Sequence, residues 1–200
     1  MAKASWVVVN PQKGSGSGSV SVSSASQHTG RNPRTTQLTW KAANVADVIR
    51  GVSQAGKPEY VDIDNTASSE KGGQLVTIKG ESNSAKLTFS LGAGDLQISL
   101  PSTYLANSIQ VTNGAAINGD PGASAKYVFS IAIDVPANTS MDAVSRQIIV
   151  TDEAGNQDTC TLTIASGDAY VTIAEGVIEL DYLGTPVSVA VESNTSWSIV

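Results

Sequence analysis

Glu59-Tyr60-Val61-Asp62-Ile63, Gly73-Gln74-Leu75-Val76-Thr77-Ile78 and Glu81-Ser82-Asn83-Ser84 form a series that the chain repeats. The second copy runs Ala169-Tyr170-Val171-Thr172-Ile173, Gly184-Thr185-Pro186-Val187-Ser188-Val189 and Glu192-Ser193-Asn194-Thr195. Tyr60 and Tyr170 lie 110 positions apart, and Asn83 and Asn194 lie 111 apart, so the copies differ by one inserted residue. A second pair of series ends at the same spacing, Gly56 and Gly167 lying 111 positions apart. Arg34-Thr35-Thr36-Gln37-Leu38-Thr39-Trp40 runs on to Gln54-Ala55-Gly56, and Arg146-Gln147-Ile148-Ile149-Val150-Thr151 runs on to Ala165-Ser166-Gly167. A period of this size is that of a sandwich domain and far longer than a solenoid repeat.

Cut at these points, the chain gives three segments. Residues 1–57 match the later strands of a unit, 58–167 a whole unit, and 168–200 the early strands of another. Alternation of apolar and polar residues predicts strands at Ser19 to Ser23, Ala85 to Leu91 and Tyr127 to Val135. Turns are marked by Lys71-Gly72-Gly73, Asn113-Gly114, Asn118-Gly119-Asp120-Pro121-Gly122 and Ala154-Gly155-Asn156. Val45, Val48, Ile49 and Val52 fall at the spacing of an amphipathic helix. The same stretch aligns with Asp158 to Ile164, which reads as strand, and the repeat constrains more positions than the local pattern. Strand is therefore expected.

Composition agrees with an all-β chain. Ser, Thr, Val, Ala and Gly dominate, only 15% of residues are charged, and only 5% are aromatic. That is the usage of many short strands joined by small-residue turns. The net charge is −6 and Lys and Arg form no run, which argues against nucleic acid or an anionic membrane as partner. No stretch approaches the roughly 18 apolar residues of a membrane helix. Met1-Ala2-Lys3-Ala4-Ser5-Trp6 has neither a signal-peptide core nor a lipidation cysteine, so synthesis and retention in a cytoplasm are expected. Cys160 alternates with Leu162 and Ile164, and is expected to be a buried small hydrophobe.

Several residues resemble a known pattern. Ser193-Asn194-Thr195-Ser196-Trp197 stands near the end, and Trp6-Val7-Val8-Val9-Asn10-Pro11-Gln12-Lys13-Gly14 near the start. Thr29-Gly30, Arg34 and Val52-Ser53-Gln54-Ala55-Gly56 follow. Together they resemble the BACON module, an immunoglobulin-like β-sandwich common in Bacteroidetes proteins and in the phages that infect them. The central copy departs from the pattern, with Lys86 near the place of the tryptophan. The resemblance implies a two-module, immunoglobulin-like (BACON-like) β-sandwich protein, with one module split between the N- and C-terminal segments. BACON modules of secreted glycan-degrading proteins follow an export signal, whereas similar modules occur in virion proteins of crAss-like phages. What is implied here is an auxiliary or decoration protein of the capsid, made in the bacterial host cytoplasm and carried on the virion. Its partners would be the capsid shell and sister subunits.

Catalytic and ligand-binding signals are weak. Lys13-Gly14-Ser15-Gly16-Ser17-Gly18-Ser19 is Gly-rich, but a strand rather than a helix follows it, so it reads as a hairpin loop and not a phosphate cradle. His28 is the sole histidine and Cys160 the sole cysteine, which leaves no metal set and no Ser-His-Asp constellation. Asp62, Asp64 and Glu70, or Asp152, Glu153 and Asp158, lack the ligand spacing of a calcium loop and read as solvated turn or edge-strand charges. No enzymatic activity, cofactor or metal is expected. Asn138-Thr139-Ser140 and Asn194-Thr195-Ser196 match a glycosylation sequon with no use in an unexported chain. Trp6 and Trp197 occupy core positions of the resembled family, and Trp40 alternates with Leu38 toward a core. Trp40 is the one candidate contact for a surface glycan or mucin.

The segments 1–57 and 168–200 should complete each other, either within one chain or between neighbouring chains, by strand addition. Trp6 and Val8 on one side and Val187, Val189, Trp197 and Ile199 on the other are the candidate interface residues. The leading functional expectation is a non-enzymatic virion structural protein, and the alternative is a glycan-binding adhesion module.

Overall fold

The computed structural model describes residues 3–174 and 176–200, and among them there is no helix. Fifteen strands follow one another. They are β1 (Val7–Asn10), β2 (Ser21–Ser24), β3 (Arg34–Trp40), β4 (Val48–Gln54), β5 (Val61–Ile63), β6 (Thr66–Ser69), β7 (Gln74–Ser82) and β8 (Leu87–Gly94). There follow β9 (Thr103–Ala106), β10 (Ile109–Thr112), β11 (Tyr127–Val135), β12 (Val144–Asp152), β13 (Gln157–Ile164), β14 (Val171–Ile173) and β15 (Val191–Ser193). The strand reading of the helix-spaced valines holds from Val48 onward, where β4 forms.

The central strands make a sandwich. One sheet has the order β10-β9-β11-β7-β5 and the other β6-β13-β12-β8. Alternation decides which side chains lie between the sheets. On β11, Tyr127, Phe129, Ile131, Ile133 and Val135 point inward, while Val128, Ala132 and Asp134 point out. Ile148 and Val150 of β12 and Cys160, Leu162 and Ile164 of β13 answer from the opposite sheet. Phe89 sits at the centre, 5.1 Å from the Tyr104 ring and 5.7 Å from the Phe129 ring, both in tilted or edge-on contact. Every member of this core cluster lies between Ile63 and Ile164. Each fully buried aliphatic side chain contributes about 1.5–3 kcal/mol. The expected burial of Cys160 is found, and burial pushes its thiol up to about 11.

Between β5 and β6 the chain changes sheets. β5 pairs antiparallel with β7, whereas β6, three residues later, pairs in parallel with β13. Two carboxylates hold this corner. Asp158 accepts a hydrogen bond from the Ile63 amide at 2.8 Å, and Asp64 accepts one from the Lys79 amide at 2.9 Å. Asp152 is buried and receives the Asn156 amide and side-chain amide at 2.8 and 2.7 Å. All three acids thus accept backbone amides; Asp152 is buried and Asp158 half-buried, unlike the solvated charges expected there, whereas Asp64 remains exposed as expected.

Two pairs of strands outside the sandwich reproduce registers found inside it. In the hairpin β3–β4, Leu38 faces Arg50; 110 positions on, Ile148 faces Cys160 in β12–β13. In β14–β15, Val171 faces Ser193 and Ile173 faces Val191, as Val61 faces Ser82 and Ile63 faces Gly80 in β5–β7. Strand pairing thus repeats, but at 110 positions β3 places Arg34 on Val144, two residues short of the Arg146 with which the sequence series align it.

Replacing Leu162 by alanine should lower stability by about 2–5 kcal/mol, read by urea unfolding, because no solvent reaches the cavity it would leave. Alkali should act on the tyrosines. Burial, with the Glu81 carboxylate beside it, pushes Tyr60 up to about 12, and burial alone does the same to Tyr104. Burial also raises Tyr127. The unfolded chain loses these protons near pH 10, so the stability they contribute is full below about pH 10 and declines as pH rises toward about 12. Unfolding monitored by tyrosinate absorbance should therefore be cooperative; gradual titration of all tyrosines with the fold intact would contradict it.

Candidate functional site

The residues that make the most long-range polar contacts lie where the sandwich meets its flanking segments. Asn83 follows β7 and is fully buried. Its side-chain oxygen accepts the Tyr60 amide at 3.0 Å, and its amide nitrogen reaches the carbonyls of Thr29 (3.3 Å), Lys57 (3.1 Å) and Pro58 (3.2 Å). One carboxamide thus joins the N-terminal segment, the linker and the sandwich. Beside it, Ser82 donates to the Tyr60 carbonyl at 2.7 Å.

The same constellation recurs at the other end. Asn194 accepts the Tyr170 amide at 3.0 Å and donates to the carbonyls of Thr139 and Asp168, both at 2.8 Å. Ser193 donates to the Tyr170 carbonyl at 2.8 Å. The backbone pair repeats too: the Lys57 amide donates to Gly30 at 2.9 Å, and the Gly167 amide to Ser140 at 2.7 Å. Gly167 thus stands in the place of Lys57 and not of Gly56, yet both glycines admit a close backbone approach. A Cβ on Gly56 would lie 1.8 Å from the Arg31 carbonyl oxygen, and one on Gly167 2.5 Å from that of Asn138, so the backbones could not approach. Asn138 and Asn194, the two sequon asparagines, are both tied into these turns; Asn138 donates to the carbonyls of Asp142 and Ala165 at 2.8 and 3.0 Å.

Charges reinforce each junction differently. Arg31 donates to the Asn83 carbonyl at 2.8 Å, forms a two-pronged pair with Asp120, and stands 3.5 Å from Glu59. Planar two-pronged pairing gives such a contact direction as well as energy. At the far junction Lys71 pairs with Asp168. Arg31, Glu59 and Asp120 had no signal in the sequence, because the Arg31–Asp120 pair spans 89 positions.

The two junctions occupy opposite ends of the ladder between β7 and β11. Tyr127 faces Ser82 at the N-terminal segment's end, and Val135 faces Gln74 at the other, nine residue pairs in all. At ~3.3 Å per residue the junctions are separated by roughly 30 Å.

The candidate interface residues are placed as follows. Trp6 is half-buried within its own segment, under the Arg34 guanidinium at 4.6 Å. Arg34 also donates to the Gln54 side-chain oxygen at 2.8 Å, which takes the Ser24 hydroxyl at 2.9 Å, so these groups knit β1–β2 to β3–β4. Val7 next door, not Trp6 or Val8, is the fully buried residue. Val8, Val187, Trp197 and Ile199 are exposed and Val189 is half-buried. Trp197 at 51% and Trp40 at 41% exposure depart from the buried positions expected of them. For Trp40 the reason is local: it ends β3 opposite the exposed Val48, with no second sheet above it.

No catalytic constellation assembles among the described residues. No group of three or more His, Cys, Asp or Glu side chains is placed to hold a metal ion. An open concavity of about 440 Å³ is lined by Asp62, Asp64, Lys79 and Glu81 among others. Two of its acids are engaged: Asp64 accepts the Lys79 amide, and Glu81 receives Lys126 and the Tyr60 hydroxyl, the Lys126 bond holding the Glu81 carboxyl below the usual range. His28 contacts the Asn32 carbonyl at 2.7 Å in the turn expected for it. The Gly-rich stretch is an exposed connection between β1 and β2. Among the described residues no helix is long and apolar enough to cross a membrane.

The clamps should be unequal in cost. Asn83→Ala leaves buried backbone groups unpaired and should cost about 1–3 kcal/mol, whereas Asn194→Ala, at a half-buried site, should cost less. Asn83→Asp should be worse than Asn83→Ala, because it sets a carboxylate against three carbonyl oxygens. Urea unfolding of the three variants orders them.

No family model matches this chain, and no curated protein matches it. Among solved structures, an endo-fucoidan hydrolase from glycoside hydrolase family 107 is similar over 83% of this chain and 22% of its own, at 10% identity and a TM-score of 0.31. This chain thus spans about a fifth of the length of that structure.

Proposed function

We propose that this protein is a non-enzymatic structural component of a virion, an auxiliary or decoration protein on the capsid of a crAss-like phage. In this reading the chain is a tandem of immunoglobulin-like modules, with 58–167 a whole module and 1–57 and 168–200 halves of others. The observation that carries it is the pair of matching junctions, in which Asn83 and Asn194 make equivalent bonds to the backbone of the preceding segment. Fixed linkage between sandwiches suits a protein whose task is to span and brace a surface. It gives nothing to a catalyst that works on one small molecule. The resemblance of Trp6 to Gly14 and Ser193 to Trp197 to BACON modules supplies the phage context, as an argument from analogy.

A second reading, a glycan- or mucin-binding adhesion module, is favoured by the half-exposed indole of Trp40. Aromatic faces stack on sugar rings, and this one lies beside the exposed Val48 at the end of a hairpin.

Mixing the purified chain with empty capsids of such a phage and sedimenting them separates the two readings. Co-sedimentation that saturates at a fixed ratio to capsid subunits is the expected result. Saturable heat of glycan binding that disappears in Trp40→Ala, with no capsid association, would replace the first reading by the second.

A further inference from the structure

We infer that Asn118 is a site of spontaneous covalent modification, where the chain deamidates to an isoaspartyl link and loosens the seat of its N-terminal segment. The inference is independent of the function proposed above.

Two asparagines of the chain are followed by glycine, Asn113 and Asn118. In such a pair the glycine backbone nitrogen attacks the side-chain carbonyl carbon of the asparagine, since no Cβ on the glycine stands in the way. The new C–N bond closes a succinimide ring and the bond to the side-chain nitrogen breaks. That nitrogen leaves as ammonia, carrying the proton that the glycine amide gave up. Water then opens the ring at either carbonyl. One opening gives an ordinary aspartate. The other routes the main chain through the former side chain and lengthens it by a methylene. Water is consumed, ammonia is released, and no oxidant or reductant takes part.

The fold separates the two asparagines. Asn113 is half-buried and held at both reacting groups. Its side-chain oxygen accepts the Phe89 amide at 2.7 Å, and its side-chain nitrogen donates to the Phe89 carbonyl at 3.0 Å. The nucleophile beside it is engaged too, because the Gly114 amide donates to the Leu87 carbonyl at 3.0 Å. Asn118 and Gly119 are both exposed. Neither the Asn118 side chain nor the Gly119 amide makes a hydrogen bond among the described residues. A Cβ built on Gly119 would meet nothing within 4 Å, so the ring has room to close.

The turn that contains Asn118 carries the N-terminal segment. Asp120 forms the two-pronged pair with Arg31, and the Arg31 and Asn32 amides donate to the Gly122 and Ala123 carbonyls at 2.9 and 2.8 Å. The turn is pinned on both sides. Before it, Ile117 is buried and its amide donates to the Ala85 carbonyl at 2.8 Å. After it, Gly122 lies so close to Asn83 that a Cβ there would stand 2.2 Å from the Asn83 carbonyl oxygen. Between these points Gly119 and Asp120 hold left-handed φ values of 75° and 38°, and the ring of Pro121 fixes its own φ. A methylene added there has no slack to enter, so Asp120 is displaced from Arg31.

Incubation of the full chain in mildly alkaline buffer, followed by peptide mass mapping, tests the site. Asn118 should convert roughly tenfold or more faster than Asn113, whose bonds to Phe89 must break first. In urea the two should convert at similar rates. Hydrogen exchange at the Arg31 and Asn32 amides should become roughly tenfold faster in the aged chain. It should stay unchanged in aged Asn118→Gln, whose longer side chain closes the ring poorly. Asn118→Asp adds the charge without lengthening the main chain and should exchange like the fresh protein. A folded chain in which Asn118 keeps its amide, or in which both asparagines convert at one rate, overturns the inference. So does an isoaspartyl link at 118 that leaves exchange at Arg31 and Asn32 unchanged, or equal acceleration in Asn118→Asp.

Discussion

The structure depends on one carboxamide at each junction. Main-chain amides and carbonyls that leave water must find partners, and where a sheet ends and the chain turns into its neighbour no ladder provides them. Asn83 satisfies four such groups with one planar side chain. An asparagine does this because it both donates and accepts; a carboxylate only accepts, and a serine is too short to reach three carbonyls. With these groups satisfied, the linker from Gly56 to Pro58 is held against the sandwich and the neighbouring turn at Gly30 to Asn32 follows it. The paired bonds from the Arg31 and Asn32 amides to Gly122 and Ala123 extend the same contact.

Burial and pairing act at different scales in this chain. Apolar alternation drives the closure of two sheets over Phe89 and its neighbours, and this closure is complete only between Ile63 and Ile164. Pairing registers, in contrast, persist where there is no second sheet. β14–β15 and β3–β4 keep the alignment of their counterparts with most of their apolar residues in solvent. Local turn chemistry and main-chain bonds are sufficient to set register, whereas a core needs both halves of the sandwich. The flanking segments show the first without the second.

Much of the fold was legible. The strand pattern of Tyr127 to Val135, the turns at Gly73, Gly114, Gly119 and Gly155, and the burial of Cys160 all follow from alternation and small-residue chemistry. The repeat overrode a helical spacing at Val48 to Val52 and gave the strand that is found. What escaped was anything fixed by distant partners. Asp152 and Asp158 look like surface charges until the corner between the sheets brings amides to them. Ser193-Asn194 was readable as a recurring pair of letters, but its bonds to Thr139 and Asp168 appear only in three dimensions. Tryptophan burial failed as an expectation because a large aromatic ring is hidden only when an opposing sheet exists, and Trp40 and Trp197 have none above them.

Junctions built on the same asparagine clamp have a geometric consequence. If each sandwich is joined to the one before it by the same set of bonds, the rigid motion that carries one to the next is the same at every step. Repetition of a single motion generates a helix, with its rise and twist set by the linkage and not by the sandwich faces. The shape of a long assembly of these units would then be written in the two asparagine side chains and the glycines beside them. A change of a few degrees at Gly56 or Gly167 would be multiplied along the whole length.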